Sequence, residues 1–259
     1  MKKPLLPAPA KGTAVKVPSR INRHHTLIQL SPLALQLLIY MIGAWEKRKN
    51  EIRHIPPSQR GPEATTFRIP WRSLQMHLRP DATGTLDVQV YAHLKAAGKE
   101  LIDFYASSES RFHFHHLIEF VVEDTNHSTF IYKLVETFDV GWSLLLQQGY
   151  ALVPLHDALA LHSSRQIRML MLLCGVKGLN SVSLKTFTLK QLRAYFALEG
   201  EYYDSPAAVL KEMDDVLKSV LTALPHYKAT MLKEKDTHDR RRVVGVKFEL
   251  LSNQPRKEN

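Results

Sequence analysis

The stretch Lys185–Leu198, "KTFTLKQLRAYFAL", passes from a short β-like segment straight into an amphipathic helix, and Thr66–Leu78, "TFRIPWRSLQMHL", does the same. Setting the later stretch back by 118 residues places Phe187, Leu192 and Phe196 on Ile69, Leu74 and Leu78, the core-facing positions of one short helix. Thr188 then falls on Pro70. One is a helix-capping residue and the other a favourable first-turn residue, so both open a helix at the same place.

The agreement extends outward. Between Asp81 and Asp103, Val90, Tyr91, Leu94, Ala97 and Leu101 recur at helical spacing, and an offset of 119 carries them to Val209, Leu210, Met213, Val216 and Val220. That later helix opens at "DSPAAVL", with Asp204 or Ser205 as cap and Pro206 in the first turn. A further helix precedes each pair, from Leu33 to about Lys49 and from Ser163 to Cys174. Each third helix gives way to a β-rich segment. In the first half "RFHFHHLIEFVVED", the turn "TNHS" and "TFIYKLVETF" form a hairpin, with Phe112, Phe114, Ile118, Phe120 and Val122 alternating onto one face. In the second, "YKATMLKE", "KDTHDRR" and "RVVGVKFELL" repeat the plan with a basic loop.

Three helices followed by a hairpin is the order of a winged helix, a helix-turn-helix unit with an added β-wing. The expected fold is therefore α+β: two tandem winged-helix domains, each of three helices plus a β-hairpin wing. The expected layout is a flexible basic arm over 1–20, a first domain over 21–139, a linker over 140–149, a second domain over 150–253 and a disordered tail over 254–259. Within the linker, "DVGWSLLLQQG" reads as a short helix bounded by Gly141 and Gly149, with Leu144, Leu145 and Leu146 available for packing. "EKRKNEIRHIPPSQRGP", from Glu46 to Pro62, reads as a mobile basic connection.

Composition narrows the partners. With 259 residues and 44% apolar content the chain can fill two cores. Lys and Arg outnumber Asp and Glu by 35 to 25, a net +10 that favours an anionic partner, nucleic acid or a membrane surface. Lys2, Lys3, Lys11, Lys16, Arg20 and Arg23, with no acid among them, suit the arm to phosphates or to a solubilising role. No run of about 18 uncharged apolar residues marks a membrane span, and prolines 4, 7, 9 and 18 break up any signal-peptide core. The lone Cys174 excludes an intrachain disulfide and a cysteine-built zinc site, and fits a reducing cytoplasm. No Gly-rich phosphate loop, Gly-x-Ser-x-Gly elbow or paired metal-binding carboxylates occur, so no cofactor or metal is expected.

The second half resembles the C-terminal domain of the iteron-binding plasmid replication initiators, whose chains are two tandem winged helices. The resemblance rests on "SSRQIRMLMLLCG", similar to that family's Ser-x-x-x-Ile-Arg first helix, on "FTLKQLRAYFAL", on "YDSPAAVLKEMDDVLKSVL" and on "RRRVVGVKFEL", similar to its closing strand. In outline it covers residues 25 to 252 and is clearest from Tyr150 onward. It implies binding to repeated origin duplexes, replication initiation without active-site chemistry, contacts with host replication initiator and helicase proteins, and a monomer that can also form a homodimer.

The DNA contacts can be placed from helix geometry. With Leu94 at the centre of the buried face, a turn of about 100° per residue puts Thr85, Gln89, Ala92, Ala96 and Lys99 outside. Gln89 is the best base reader there, since a carboxamide pairs bidentately with adenine. The same construction exposes Ala208, Lys211, Asp215, Lys218 and Thr222 on the later helix, with Lys211 foremost. The family's recognition helices are usually more basic; here Glu212, Asp214 and Asp215 offset Lys211 and Lys218. Phosphate contacts are expected from Arg165, Arg168, Lys190, Arg193 and the wing residues Arg240, Arg241 and Arg242, and in the first half from Arg68, Arg72, Lys95 and Lys99.

Two other functions stay open. "HFH" at His113–His115 matches the metal-binding signature of rolling-circle nickases, in which a tyrosine, here Tyr195, Tyr202 or Tyr203, would attack the phosphate. A repressor without an initiator role would need the same DNA-binding units.

Overall fold

The structure, a computed structural model, describes residues 14–18, 30–56, 66–70, 92, 96–100, 118–123, 129–134, 146–147, 149–177, 186–239 and 241–253. In order these form β1 (Ala14–Pro18), α1 (Pro32–Glu51), β2 (Thr66–Pro70), β3 (Ile118–Glu123), β4 (Thr129–Leu134), β5 (Tyr150–Pro154), α2 (Leu155–Leu159), α3 (Ser164–Lys177), β6 (Phe187–Thr188), α4 (Leu189–Phe196), a 3-10 turn (Glu201–Asp204), α5 (Pro206–Ala223), β7 (Tyr227–Lys235) and β8 (Val243–Asn253). Residues 96–100 are also helical.

The repeated plan is visible in the sheets. Strands β2, β4 and β3 form one antiparallel sheet and β6, β8 and β7 another, so each hairpin carries on its inner strand the short strand that comes before it in the chain. In the second sheet the approach is tight. A Cβ on Gly245 would lie 2.6 Å from the carbonyl oxygen of Phe187, which leaves glycine as the residue that fits.

Helix α1 is the hub. Ser31 caps it by accepting the Ala34 N–H at 3.2 Å, and Pro32 follows in the first turn. Every residue from Ala34 to Trp45 is buried, which is the signature of a helix packed on all sides rather than along one stripe. The first-half sheet closes one side, where Phe67 stacks on Tyr132 at 4.9 Å between ring centroids and the Tyr132 hydroxyl donates to the Met41 carbonyl at 3.4 Å. Gln36 is the polar exception in this apolar run. Its Nε2 donates to the carbonyls of Leu159 and Leu161, at 3.0 and 2.7 Å, in the second half of the chain. One cluster of buried apolar residues therefore runs through both halves.

Residues 14–18 differ from the flexible arm expected over 1–20. They pair antiparallel with β5, from Ala14 opposite Pro154 to Pro18 opposite Tyr150. Val15 and Val17 are buried with Ala151 and Val153, each valine so placed contributing about 1.5–3 kcal/mol. Gly43 on α1 lets the ribbon settle, since a Cβ there would meet the Val15 Cγ2 at 3.1 Å. Beyond the ribbon, the expected linker contributes Leu146, which packs against the core; Leu144 and Leu145 lie outside the described residues.

Candidate functional site

The cation-rich surface of the second half is built by α3, α4, α5 and the β7–β8 turn. Both α3 and α4 begin with a reciprocal cap. Ser163 Oγ accepts the Gln166 N–H at 3.1 Å while Gln166 Oε1 accepts from Ser163 N at 3.0 Å, and Thr188 and Gln191 repeat the exchange. Helix α4 ends at Ala197, which adopts the left-handed conformation with φ 49° and ψ 52°. The chain then turns through Gly200, at φ 93°, into the 3-10 segment and α5, whose first turn holds Pro206.

Helix α5 is amphipathic. Val209, Leu210, Met213, Val216, Leu217 and Val220 are buried, while Lys211, Asp215, Lys218, Ser219 and Thr222 are exposed. Ala208, expected on the outer face, is buried instead.

Charge pairing defines this surface. Arg165 Nη1 lies 2.5 Å from Glu212 Oε1, Arg193 Nη1 lies 2.7 Å from Asp204 Oδ1, and Lys218 Nζ lies 2.5 Å from Asp214 Oδ2. The hydrogen bond and charge of Asp214 hold the Lys218 ammonium above its ordinary pKa, with Asp215 adding least. Lys190 and Lys211 are exposed and, among the described residues, make no ion pair. Between α5 and the start of α3 runs an open groove of about 490 Å³, lined by Ser163, Ser164, Gln166, Asp215 and Ser219 among others. Gln166 Nε2 donates to Ser219 Oγ at 2.5 Å across it. The sequence reading missed this groove, whose one local signal is the Ser-x-x-Gln cap before α3.

The β7–β8 turn presents Arg241 and Arg242, both exposed. Two aspartates shape it: Asp236 Oδ1 accepts from His238 N and Asp239 Oδ1 from Arg241 N, both at 2.9 Å. Arg240 lies outside the described residues, as do Arg72, Thr85, Gln89 and Lys95. In the first half Arg68 is half-buried on β2, and Lys99 is exposed on the helix over 96–100.

Arg168 departs from its expected role. It is 2% exposed, its guanidinium carbon lies 4.5 Å from the Tyr195 ring centroid, and its Nε, Nη1 and Nη2 have no hydrogen-bond partner among the described residues. Burial lowers its pKa, opposed in part by Tyr195. A side chain so enclosed cannot reach a phosphate. The cause is that α3, from Ile167 to Cys174, is buried on all sides, so residue type was a poor guide to exposure.

The tyrosines proposed for a nickase are differently employed. Tyr195 is buried and donates to the Arg168 carbonyl at 3.0 Å; Tyr203 is half-buried and donates to Glu212 Oε2 at 3.4 Å; Tyr202 is exposed. His113 and His115 lie outside the described residues, among which no group of three His, Cys, Asp or Glu could hold a metal. No helix among the described residues is long and apolar enough to cross a membrane.

Comparison with protein-family models and with curated proteins found no match. Among solved structures, the fold is similar to that of the crystal structure of Pi initiator protein in complex with iteron DNA. The TM-score is 0.67 with 17% sequence identity, over 95% of this chain and 100% of that one.

Proposed function

We propose that this chain is a sequence-specific, double-stranded DNA-binding initiator of plasmid replication, built as two tandem winged helices. In this reading α4 and α5 are the helix-turn-helix of the second unit, α5 enters the major groove, and the β7–β8 hairpin is the wing. The observation that carries it is the joint placement of α5, with Lys211 and Lys218 exposed, and a turn presenting Arg241 and Arg242, in a fold similar to that of an initiator solved on iteron DNA.

The division of labour follows from chemistry. Arg241, Arg242, Lys190 and, after exchange of their carboxylate partners, Arg165 and Arg193 contact phosphates and set register, while α5 reads base edges. The first unit does the same with Gln89 as reader and Arg68, Arg72, Lys95 and Lys99 on phosphates. Two units in one chain span adjacent grooves, about one helical turn of roughly 10 base pairs apart. Side-by-side occupancy of repeated sites strains neighbouring A·T-rich DNA towards opening and gathers host initiator and helicase proteins. The chain works in the cytoplasm by assembly, without bond cleavage, cofactor or metal, and exchanges between monomer and homodimer.

Footprinting on duplex and single-stranded DNA flanking the gene, with and without manganese and resolved on a denaturing gel, tests this. Protected direct repeats with uncut strands are expected. A metal-dependent nick with protein on the new 5′ end would replace the reading with a His113/His115 nickase; protection without support of plasmid replication in cells would leave a repressor.

A further inference from the structure

The carboxylates of α5 have unequal surroundings. Glu212 is held by Arg165 and Asp214 by Lys218. Asp215 is exposed and, among the described residues, makes neither an ion pair nor a hydrogen bond. Lys218, whose charge it faces, is already bonded to Asp214. Lys211, one turn earlier on the same face, is exposed and equally unpaired.

Resting on the DNA-binding reading, we propose that Asp215 is a base-reading, specificity-determining residue of α5 that accepts a hydrogen bond from a cytosine amino group in the major groove. A bare carboxylate at a polyanion surface is repelled by every phosphate; Lys218 is bonded to Asp214, and Arg165, which lines the same groove, to Glu212, which leaves Asp215 without an ion-pair partner among the described residues. A donor on a base edge compensates that repulsion. The major groove offers two, the N4 amino group of cytosine and the N6 amino group of adenine, and adenine sets its N7 acceptor beside the donor, where it repels a second carboxylate oxygen. Cytosine is therefore the preferred partner. Lys211 supplies the complementary donor for guanine O6 and N7. The two side chains are four residues apart, a rise of about 6 Å, so they address positions roughly two base pairs apart.

This assigns opposite effects to one substitution. Removing the carboxylate relieves repulsion from all DNA, yet loses the preference at one position.

The test is selection from a randomised duplex pool with the full chain and its Asp215→Ala and Asp215→Asn variants, followed by titration on the selected site and on the same site with the cytosine replaced. The wild type is expected to enrich a site with one fixed cytosine that Asp215→Ala leaves free while keeping the other positions. Asp215→Ala should bind that site about 5- to 150-fold more weakly, and the cytosine-replaced site no more weakly than the wild type does. Circular dichroism controls for folding, which an exposed position leaves intact. Tighter binding of Asp215→Ala to every sequence alike would overturn the inference in favour of plain repulsion, and an unchanged selected site would overturn it outright. Both leave DNA binding standing. A wild type that enriches no sequence removes the DNA-binding reading and this inference together.

Discussion

The guanidinium of Arg168 lies over the ring of Tyr195, 4.5 Å from its centroid, and the Tyr195 hydroxyl returns to the Arg168 carbonyl at 3.0 Å. The ring supplies the charge with a cation–π contact, while the guanidinium N–H groups have no hydrogen-bond partner among the described residues. A buried cation without acceptors is costly. Arg168→Met keeps the stem and removes the charge, and should raise stability by about 1–3 kcal/mol in urea denaturation without altering DNA affinity or its salt slope. A lower midpoint, or a shallower salt slope, would return Arg168 to the phosphate contacts.

Gln36 ties the halves together through the Leu159 and Leu161 carbonyls. Gln36→Leu leaves both acceptors buried and unmet, which should cost about 1–3 kcal/mol. Because the core is continuous, unfolding followed by tryptophan fluorescence and by far-ultraviolet dichroism should stay coincident in the wild type.

Burial pushes the Glu46 carboxyl up to about 7 from its ordinary 4.5, against the lowering effect of the Lys16 N–H that it accepts at 3.3 Å and of the Lys16 and Lys49 charges. A folded pKa above the unfolded one means the folded chain holds the proton more tightly. The contribution is full below about pH 4.5 and is lost as the pH rises through 7. Glu46→Gln should therefore gain stability relative to wild type on going from pH 5 to pH 8, a difference to be followed by urea midpoints across the series. A constant difference would place the carboxyl in ordinary surroundings.

Two backbone positions invite opposite outcomes. Ala197 caps α4 at positive φ, so Ala197→Gly should stabilise by up to about 1 kcal/mol. Gly245→Ala pushes a methyl onto the Phe187 carbonyl and should cost about 1–3 kcal/mol, read from thermal midpoints.

Arg240→Ala, Arg241→Ala and Arg242→Ala combined should weaken binding to all sequences alike and flatten the plot of log affinity against log salt by about 0.9 for each phosphate the wing no longer neutralises. A parent-like salt titration would exclude the wing from the interface.

The features legible in the sequence are those with a short period. The capped α4, the apolar face of α5 and the alternating β7–β8 hairpin each declare themselves within a few turns or rungs, and all are present. Strand β1 did not, because "AVKVP" sits among prolines and its partner, Tyr150–Pro154, begins the other half of the chain. Nor did the surface pairing. Arg193 meets Asp204 only because the turn through Gly200 brings them together, and Arg165 meets Glu212 only once α3 has packed on α5. Arg168 was misplaced because a charge in a sequence argues for solvent, and only the packing around α3 overrides it.

The ribbon of β1 and β5 also bears on the order of synthesis. Its five rungs join residues 14–18 to 150–154, so everything between them is an excursion that leaves and returns at one stem. Val15 and Val17 emerge from the ribosome long before Ala151 and Val153, and wait without their partners while the first half is made. The stem can close only when the excursion is complete, which makes an early-translated part of this fold among the last to be secured.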